Sequence, residues 1–443
     1  MQSLSNQVQS LHLSDDPPTQ RTPTGLCDLP PELIGEIVSY FLEDDLALRY
    51  LKKIRRVCKY LNASTYYHFG QVGFPTLSTD LSSKSLRKFE QISKHPYLAP
   101  HVRHLRVTTC DYLYYGDELE WRRNKSGWIV SSASVQRWQV VIKRFVNCRA
   151  FRVDQRSAYW ADYSIRRAAP APAGGWSLGW KFPIGDARQQ GRLELPDAYM
   201  VLMRIIAGAE MPVEELDVDF MVEPVPRALD ATHVEDPAFR AAWAPLRKLR
   251  YVCETDKAPD AEYPLSLLRI APDLQDLTLG FSSWGGNPDL ATPLIRGLAS
   301  DESLPPFQLK RLDITRGHLG SGESLACLIK RHRRTLQSLR MYSVDVEKGG
   351  LRYLMETFRD RNFHELQEFN LHDLGECAAG DPYARDRRYL RLPRAREGTD
   401  IKIGKPWKGL LFSHSKLHNQ IQGSGPRVDR LLKMVCDYWE ILK

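Results

Sequence analysis

The stretches LQDLTL (residues 274–279), LKRLDI (309–314) and LQSLRM (336–341) share one spacing, with apolar residues at their first, fourth and sixth positions. The last two of these apolar residues are two positions apart, so in a β-strand both point to the same side. Copies also lie at 246–251 and 366–371, and the five copies begin 28, 35, 27 and 30 residues apart. The spacing therefore predicts a series of short strands, each apolar on one side.

Segments with helical spacing separate the strands, as in YPLSLLRIAPD (263–273) and GESLACLIKRHRRT (322–335). Three less regular copies of the strand pattern begin at Val102, Cys148 and Val213. A strand and a helix repeated at this period are typical of leucine-rich repeats, although an ordinary α/β domain also alternates strands with helices. The fixed spacing and the short period favour the repeat interpretation.

The predicted fold class is therefore α/β, with a horseshoe-shaped solenoid of degenerate leucine-rich repeats over 99–376. A run rich in Pro, Gly and Trp interrupts the repeats, and we expect it to form a long surface loop over 155–195. Trp176 and Trp180 in this loop fit either a binding role or local packing. A final apolar face predicts a helix over 426–443 that caps the last repeat.

The polar residue between the two inward apolar positions of each strand is predicted to face outward, toward a bound target. Arginines at such positions can hold a carboxylate or a phosphate through two parallel hydrogen bonds, which suits a phosphorylated target. The same residues are also explained as the solvated face of a strand array. The candidate target-binding residues are Arg106, Arg152, Arg250, Asp313, Arg340 and Asn370.

The N-terminal part contains a second pattern, LPPELIGEIVSYF (29–41), which predicts a helix. Pro30 and Pro31 preset the backbone for a helix start, and Glu32 stands in the first turn, where the helix dipole favours an anion. Apolar residues recur along one face of this helix and of the helical stretch 46–61 that follows. A module of this size cannot bury so much apolar surface alone, so the face needs a partner or the rest of the chain.

LPPELIGEIVSYF followed by RRVCKYLN (55–62) resembles the F-box motif, which has Leu-Pro-x-Glu-Leu, an Ile four residues later and a Val-Cys-basic end. With degenerate repeats behind this motif, the chain is similar to fungal-type F-box proteins with leucine-rich repeats. Between Leu46 and Val57 it has about one more helical turn than the usual pattern. The resemblance implies a module over 26–65 that binds a Skp-type adaptor and, through it, a cullin and a RING subunit. The implied adaptor-binding residues are Leu29, Pro30, Leu33, Ile34, Ile37, Leu46, Val57 and Cys58.

By this resemblance the chain is a non-catalytic subunit of an SCF-type ubiquitin ligase, which holds an unidentified target protein close to the bound partner that transfers ubiquitin. We expect no cofactor and no metal, no membrane or nucleic-acid partner, and a location in the cytoplasm, the nucleus or both. Two other functions remain open: a leucine-rich-repeat scaffold whose F-box acts without ubiquitination, and a solenoid that binds nucleic acid through a basic C-terminal segment. The apolar N-terminal face also has an alternative, which is packing on the first repeats.

The charge of the chain is concentrated near its C-terminus. The net charge is +8, and the 60 residues from Ala384 to Lys443 carry 14 Lys and Arg against 6 Asp and Glu, so the rest balances to zero. We expect a basic irregular segment over 377–425. His414 and His418 are four residues apart, but no third metal ligand accompanies them.

The remaining composition is that of a protein able to bury a substantial core, with 42% hydrophobic residues. No apolar run approaches the ~18 residues needed to cross a bilayer, and the first 25 residues have no export signal but predict a disordered lead-in. A helical connector is expected over 66–98. The eight cysteines form no CxxC pair, which favours free thiols in a reducing compartment over disulfides or zinc.

Overall fold

The chain divides into two compact units, Met1–Phe74 and Pro75–Lys443. The predicted lead-in 1–25, except for Gly25, and most of the predicted loop 155–195 lie outside the part of the chain that the structure describes. The computed structural model describes residues 25–42, 44, 46–110, 121, 125, 132–156, 193, 195–220, 229, 231–254, 261–282, 291–359, 363–377, 388–391, 401–402, 410–414, 419–424, 432–433, 435–436 and 440–442.

The first unit is helical. A 3-10 turn, Leu26–Asp28, precedes the helices, and Pro31 occupies the first position of the first helix with Glu32 behind it, as the sequence predicts. The helices of this unit are α1 (Pro31–Ser39), α2 (Ala47–Ile54), α3 (Lys59–Ser64) and α4 (Tyr66–Gly73).

A small core holds these helices together. Ile34 and Val38 of α1 pack with Leu51 of α2 and Leu61 of α3, and all four are at most 3% exposed. At the edge of this core the Arg55 guanidinium lies over the Phe69 ring, 4.0 Å from its centroid, which is a cation–π contact. The core is small because only one stripe of each short helix can face it.

The second unit is a mixed α/β structure dominated by parallel strands, so the predicted fold class is confirmed at this level. One helix follows most strands, and strands β1 to β9 pair in chain order. The elements in order are β1 (Thr76–Thr79), α5 (Ser83–Ser93), β2 (His104–Cys110), α6 (Ala133–Ile142), β3 (Ala150–Arg156), α7 (Leu195–Ala209), β4 (Glu215–Asp219), α8 (Pro237–Trp243), β5 (Lys248–Glu254), α9 (Glu262–Arg269), β6 (Asp276–Ser282), α10 (Ala291–Ser300), β7 (Arg311–His318), α11 (Gly322–His332), β8 (Ser338–Glu347), α12 (Gly350–Arg359) and β9 (Glu368–His372).

Two rows of apolar side chains run across the sheet because the strands are in register. Leu277 pairs with Leu312 and Leu279 with Ile314, and the same correspondence holds from β2 to β9. All three apolar residues of each of the eight sequence copies are buried. The spacing found in the sequence therefore marks the strands, and the alternation of sides gives the sheet one apolar face.

Strands β7 and β8, and the chain just after β9, each bend sharply at the same position in the sheet register. We call these bends corners. Arg316, Ser343 and Asp373 adopt left-handed backbone conformations, with φ values of 55°, 53° and 50°. These three residues lie side by side, because Thr315 pairs with Tyr342 on one side of the corner and Asp345 with Gly375 on the other. Such a conformation costs about 1–3 kcal/mol at a residue other than glycine, so the surrounding strands must hold it.

Strands also form where the sequence indicates other structure. The predicted connector 66–98 contains β1, which pairs in parallel with β2 and buries Leu77. The predicted irregular segment 377–425 contains strands in its described residues, because β9 leaves an edge that an antiparallel hairpin extends. The strands that extend this edge are β14 (Asn419–Ser424), β13 (Leu410–His414) and β12 (Ile401–Lys402). Elsewhere β10 (Gly375–Cys377) pairs in parallel with β8, and β11 (Arg388–Arg391) pairs with β10.

The C-terminal helix predicted over 426–443 differs from the structure at its end. Glu440–Leu442 form β15, which pairs with β11 in antiparallel fashion instead of continuing a helix. Before it, Leu432 and Val435 are buried, and Arg359 of α12 donates a hydrogen bond to the Cys436 carbonyl at 2.9 Å. Cys436 therefore lies against the last helix, while the end of the chain joins the sheet.

No described helix is both long enough and apolar enough to span a bilayer.

The starts of α11 and α12 approach each other through two glycines, Gly322 and Gly350. A β-carbon added at Gly322 would lie 2.4 Å from the Cα and the carbonyl oxygen of Gly350. Gly322→Ala should therefore lower the free energy of unfolding by about 1–3 kcal/mol, because backbone and not a side chain must move. Thermal unfolding of the variant checks this, with the exposed neighbour Glu323→Ala as a control that stays near the wild-type midpoint. Equal midpoints for both variants would contradict the close approach.

Candidate functional site

The first unit exposes an unusual number of large apolar side chains. Eight of the thirteen exposed large hydrophobic residues found in the described part of the chain belong to it. A single exposed leucine is common on a protein surface, but a concentration of exposed apolar side chains on a small unit indicates an interaction surface. The eight residues are Leu26, Leu33, Ile37, Tyr40, Phe41, Leu46, Val57 and Tyr67.

Helix α1 divides its apolar residues between two sides. Ile34 and Val38 are 1% exposed and point into the unit, whereas Leu33 is 44% and Ile37 37% exposed. Residues four apart share one face of a helix, so Leu33 and Ile37 form a ridge that the unit itself does not cover. Leu46 and Val57 are also exposed, at 44% and 70%.

The other predicted adaptor-binding residues lie differently. Pro30 is exposed, and Leu29 and Cys58 are half-buried against the core of the unit. Ile34 is part of the core, so its side chain does not belong to the exposed set in which the sequence grouped it. Helical periodicity alone is compatible with Ile34 on either the buried or the exposed side of α1. The packing of α1 on α2 and α3 places it on the buried side.

The six predicted target-binding residues lie in one row of the second unit. Arg106, Arg152, Asp217, Arg250, Thr278, Asp313, Arg340 and Asn370 are paired strand by strand from β2 to β9. A row of mostly polar positions lies on either side of them, at the N-terminal and C-terminal ends of the strands. We call these three rows the strand face.

Ion pairs within the strand face occupy most of its arginines. Arg106 holds Asp154 through two hydrogen bonds of 3.0 and 2.6 Å. Arg152 contacts Asp154 at 2.8 Å and Asp217 at 3.5 Å. The contacts of Asp154 with Arg106 and Arg152, at 2.6–3.0 Å, are charge-assisted hydrogen bonds, and both carboxylates link neighbouring strands.

The chain of ion pairs continues through Arg250. Its guanidinium donates to Asp217 at 2.6 Å and to Asp219 at 3.0 Å. Burial alone would lower the pKa of Arg250, but the bonds to Asp217 and Asp219 raise it above its ordinary value. Further along the row, Arg340 pairs with Glu368 at 2.9 Å. Each of the four arginines that the sequence predicts as candidates for phosphate binding already has a carboxylate partner.

The strand face is therefore close to neutral. Its three rows from β2 to β9 hold six Lys and Arg against seven Asp and Glu. A phosphorylated target would have to displace a carboxylate from an arginine to gain a comparable bond, which removes much of the advantage of a double negative charge. The geometry thus does not favour phosphate binding at these arginines.

The sequence did not indicate an aromatic site on this face. The Tyr342 ring stacks on His372, with ring centroids 4.3 Å apart and planes 12° from parallel, and Tyr342 remains 41% exposed. Exposed tyrosines are frequent anchors in protein interfaces. The alternation of sides along a strand could have revealed this pair from the sequence. Tyr342 and His372 lie two residues after Arg340 and Asn370 and therefore point to the same side of the sheet.

An open polar cavity of about 790 Å³ lies beside the strand face, at the N-terminal ends of β6 to β9. Lys310 and Arg311 line it together with Asp276, Glu365 and Glu368. Both charge signs are present, and the described residues contain no group of three or more His, Cys, Asp or Glu that could hold a metal ion. The cavity therefore offers both positive and negative groups to a polar ligand.

Truncation of single side chains of α1 should distinguish its buried side from its exposed side by the loss of stability. Ile34→Ala should lower the free energy of unfolding of the first unit by about 2–5 kcal/mol, since it leaves a cavity in a small core. Ile37→Ala should cost less than about 1 kcal/mol, because its side chain is already partly in water. Hydrogen exchange of residues 31–64 in the full chain measures both. Similar losses of protection would mean that Ile37 is buried in solution.

Asp313 offers a test of the strand face through pH. Burial raises the pKa of Asp313 above its ordinary value of 3.8, and the charges of Arg340, Arg311 and Arg250 offset this only in part. The folded chain then binds this proton more tightly than the unfolded chain, so ionisation at neutral pH destabilises the fold.

Asp313→Asn should therefore raise the unfolding temperature at about pH 7, and the gain should shrink as the pH falls through the folded-state pKa of Asp313. Thermal unfolding between about pH 4 and pH 7 measures this. Asp154→Asn is the matched control and should lower the midpoint, since Asp154 holds two arginines. A loss of stability in Asp313→Asn at neutral pH would show that the carboxylate is stabilised in the fold.

No family model matches the sequence, and no curated protein matches it significantly.

Proposed function

We propose that the chain is a substrate adaptor of an SCF-type ubiquitin ligase. In this proposal the first unit is an F-box that binds a Skp-type adaptor, and the second unit is a degenerate leucine-rich-repeat solenoid that binds a target protein. The chain contributes no catalytic group. It brings a target close to the cullin-bound RING subunit, and proximity alone accounts for a large rate gain.

The exposed apolar side chains of the first unit carry the proposal. Leu33 and Ile37 remain exposed although the other apolar residues of α1, Ile34 and Val38, are buried, and burial on a partner would remove them from water. Full burial of one such aliphatic side chain is worth about 1.5–3 kcal/mol. A helical groove lined with apolar residues on the partner would fit this ridge.

The register of the second unit supports a role in binding a target. Eight strands present their polar rows side by side, which makes an extended surface with hydrogen-bonding groups and one stacked aromatic pair. The internal ion pairs fix the arginine side chains before any target arrives, so little side-chain entropy is lost on binding. The target we propose is a protein segment that contacts Tyr342 and the polar cavity, without a required phosphate.

Substitution of the ridge tests the adaptor part. Full-length wild-type chain should co-purify with a Skp-type adaptor and a cullin, and Leu33→Asp combined with Ile37→Asp should lose both. Because Leu33 and Ile37 are 44% and 37% exposed in the free chain, burial of the rest of both side chains corresponds to about 1–2.5 kcal/mol, or roughly one to two powers of ten in affinity, and the desolvation of each aspartate adds to the loss. Val140→Asp in α6 is the matched control, because Val140 is an exposed aliphatic residue outside the first unit, at 57% exposure.

The outcomes separate the candidate functions. Recovery of both partners by the double variant would overturn the proposal. Retrieval of the adaptor without the cullin would favour a scaffold that acts without ubiquitination. Binding of RNA or DNA that weakens steeply with salt, and that is lost when 384–425 is deleted, would favour a nucleic-acid function.

A further inference from the structure

Two cysteines of the first unit lie next to each other although they are 31 positions apart in the chain. Cys27 belongs to the 3-10 turn Leu26–Asp28, and Cys58 immediately precedes α3. Their Sγ atoms are 3.6 Å apart, and both residues carry free thiols. Cys27 is exposed and Cys58 is half-buried, so reagents in solution can reach the pair.

The two thiols differ chemically. The Leu61 N–H donates a hydrogen bond to Cys58 Sγ at 3.5 Å, which lowers the pKa of Cys58. The pKa of Cys27 is raised, first by its hydrogen bond with Cys58, with desolvation and the charge of Asp28 adding to this. Because the thiolate is the attacking species, Cys58 is the better nucleophile and Cys27 is placed to attack second.

The backbone around the pair is already assembled. The Tyr60 hydroxyl donates to the Leu29 carbonyl, and the Gly25 N–H donates to the Asp28 carboxylate at 3.0 Å. The turn that carries Cys27 is thus held beside the start of α3 in the reduced chain. Formation of a bond requires the two sulfurs to close from 3.6 Å to ~2.05 Å.

None of the other described cysteines is both accessible and next to a second cysteine. Cys148 is buried, and burial raises the pKa of its thiol to about 12. Cys436 is buried against the Met355 sulfur at 3.8 Å. Cys327 of α11 is exposed, and no other cysteine sulfur contacts it in the described part of the chain. Of the five cysteines whose side chains are described, Cys27 and Cys58 are the two that are both accessible and adjacent.

We propose that Cys27 and Cys58 form a redox-active dithiol site that reacts with small disulfides such as oxidised glutathione. The Cys58 thiolate attacks one glutathione sulfur, which forms a mixed disulfide and releases a glutathione thiolate. Cys27 loses its proton to solvent and attacks the Cys58 sulfur, which forms the Cys27–Cys58 bond and releases the second glutathione. Two protein thiols are oxidised, and one glutathione disulfide is reduced to two thiols.

The bond closes a loop that contains α1 and α2 and therefore the ridge of Leu33 and Ile37. It fixes the turn Leu26–Asp28 to the start of α3 and restricts the unfolded chain more than the folded one. The site does not depend on the adaptor proposal, because its chemistry uses two thiols and a small disulfide only.

Mass spectrometry of the full-length chain tests the site. The chain is equilibrated with mixtures of reduced and oxidised glutathione, quenched with acid, alkylated and digested. Wild type should give a linked Cys27–Cys58 peptide pair, and Cys327 in the same sample should give only its glutathione adduct. In Cys27→Ser the Cys58 adduct should accumulate about tenfold above wild type, because no second thiol resolves it.

Cys58→Ser should give no linked pair. Glutathione should add to Cys27 in this variant more slowly than it adds to Cys58 in Cys27→Ser. Unfolding midpoints of both serine variants under reducing conditions should match wild type, which excludes loss of fold as a cause. Absence of the linked pair at every glutathione ratio, or equal Cys58 adduct in wild type and Cys27→Ser, would overturn the proposal.

Discussion

Alternation of side chains along parallel strands is the constraint on which the second unit depends. Each strand places apolar residues such as Leu312 and Ile314 on one side and polar residues such as Asp313 on the other. Because the strands are in register, this local rule becomes two continuous apolar rows that the helices cover. A shift of one residue in any strand would move its leucines into water and its charges into the core, so the register is strongly specified.

The same alternation determines the electrostatics of the opposite face. Charged residues stand opposite one another on neighbouring strands, and the chain Arg106, Asp154, Arg152, Asp217 and Arg250 alternates in sign. Partly exposed ion pairs contribute little to stability individually. A face whose charges are paired internally has little net charge with which to attract ions or nucleic acid. The excess positive charge of the chain lies elsewhere, in its C-terminal sixty residues.

The sequence predicted what local periodicity controls. The spacing of Leu309, Leu312 and Ile314 located a strand, and the outward position of Asp313 followed from it. Periodicity could not assign Ile34 to the core and Ile37 to the surface, because the orientation of α1 depends on contacts with α2 and α3. The C-terminal strands were missed for a related reason: the antiparallel pair of β13 and β14 is defined by partners, such as the edge of β9, that local sequence does not identify.

The aligned left-handed corners at Arg316, Ser343 and Asp373 have a consequence for how this chain can change over time. Each corner fits only if its neighbours turn at the same level. A one-residue insertion between the leucines and the corner of a single strand would put that bend out of step with the adjacent ones. Length changes in this region are therefore expected to be inherited jointly by all three strands, whereas the connections after the corners remain free to vary in length.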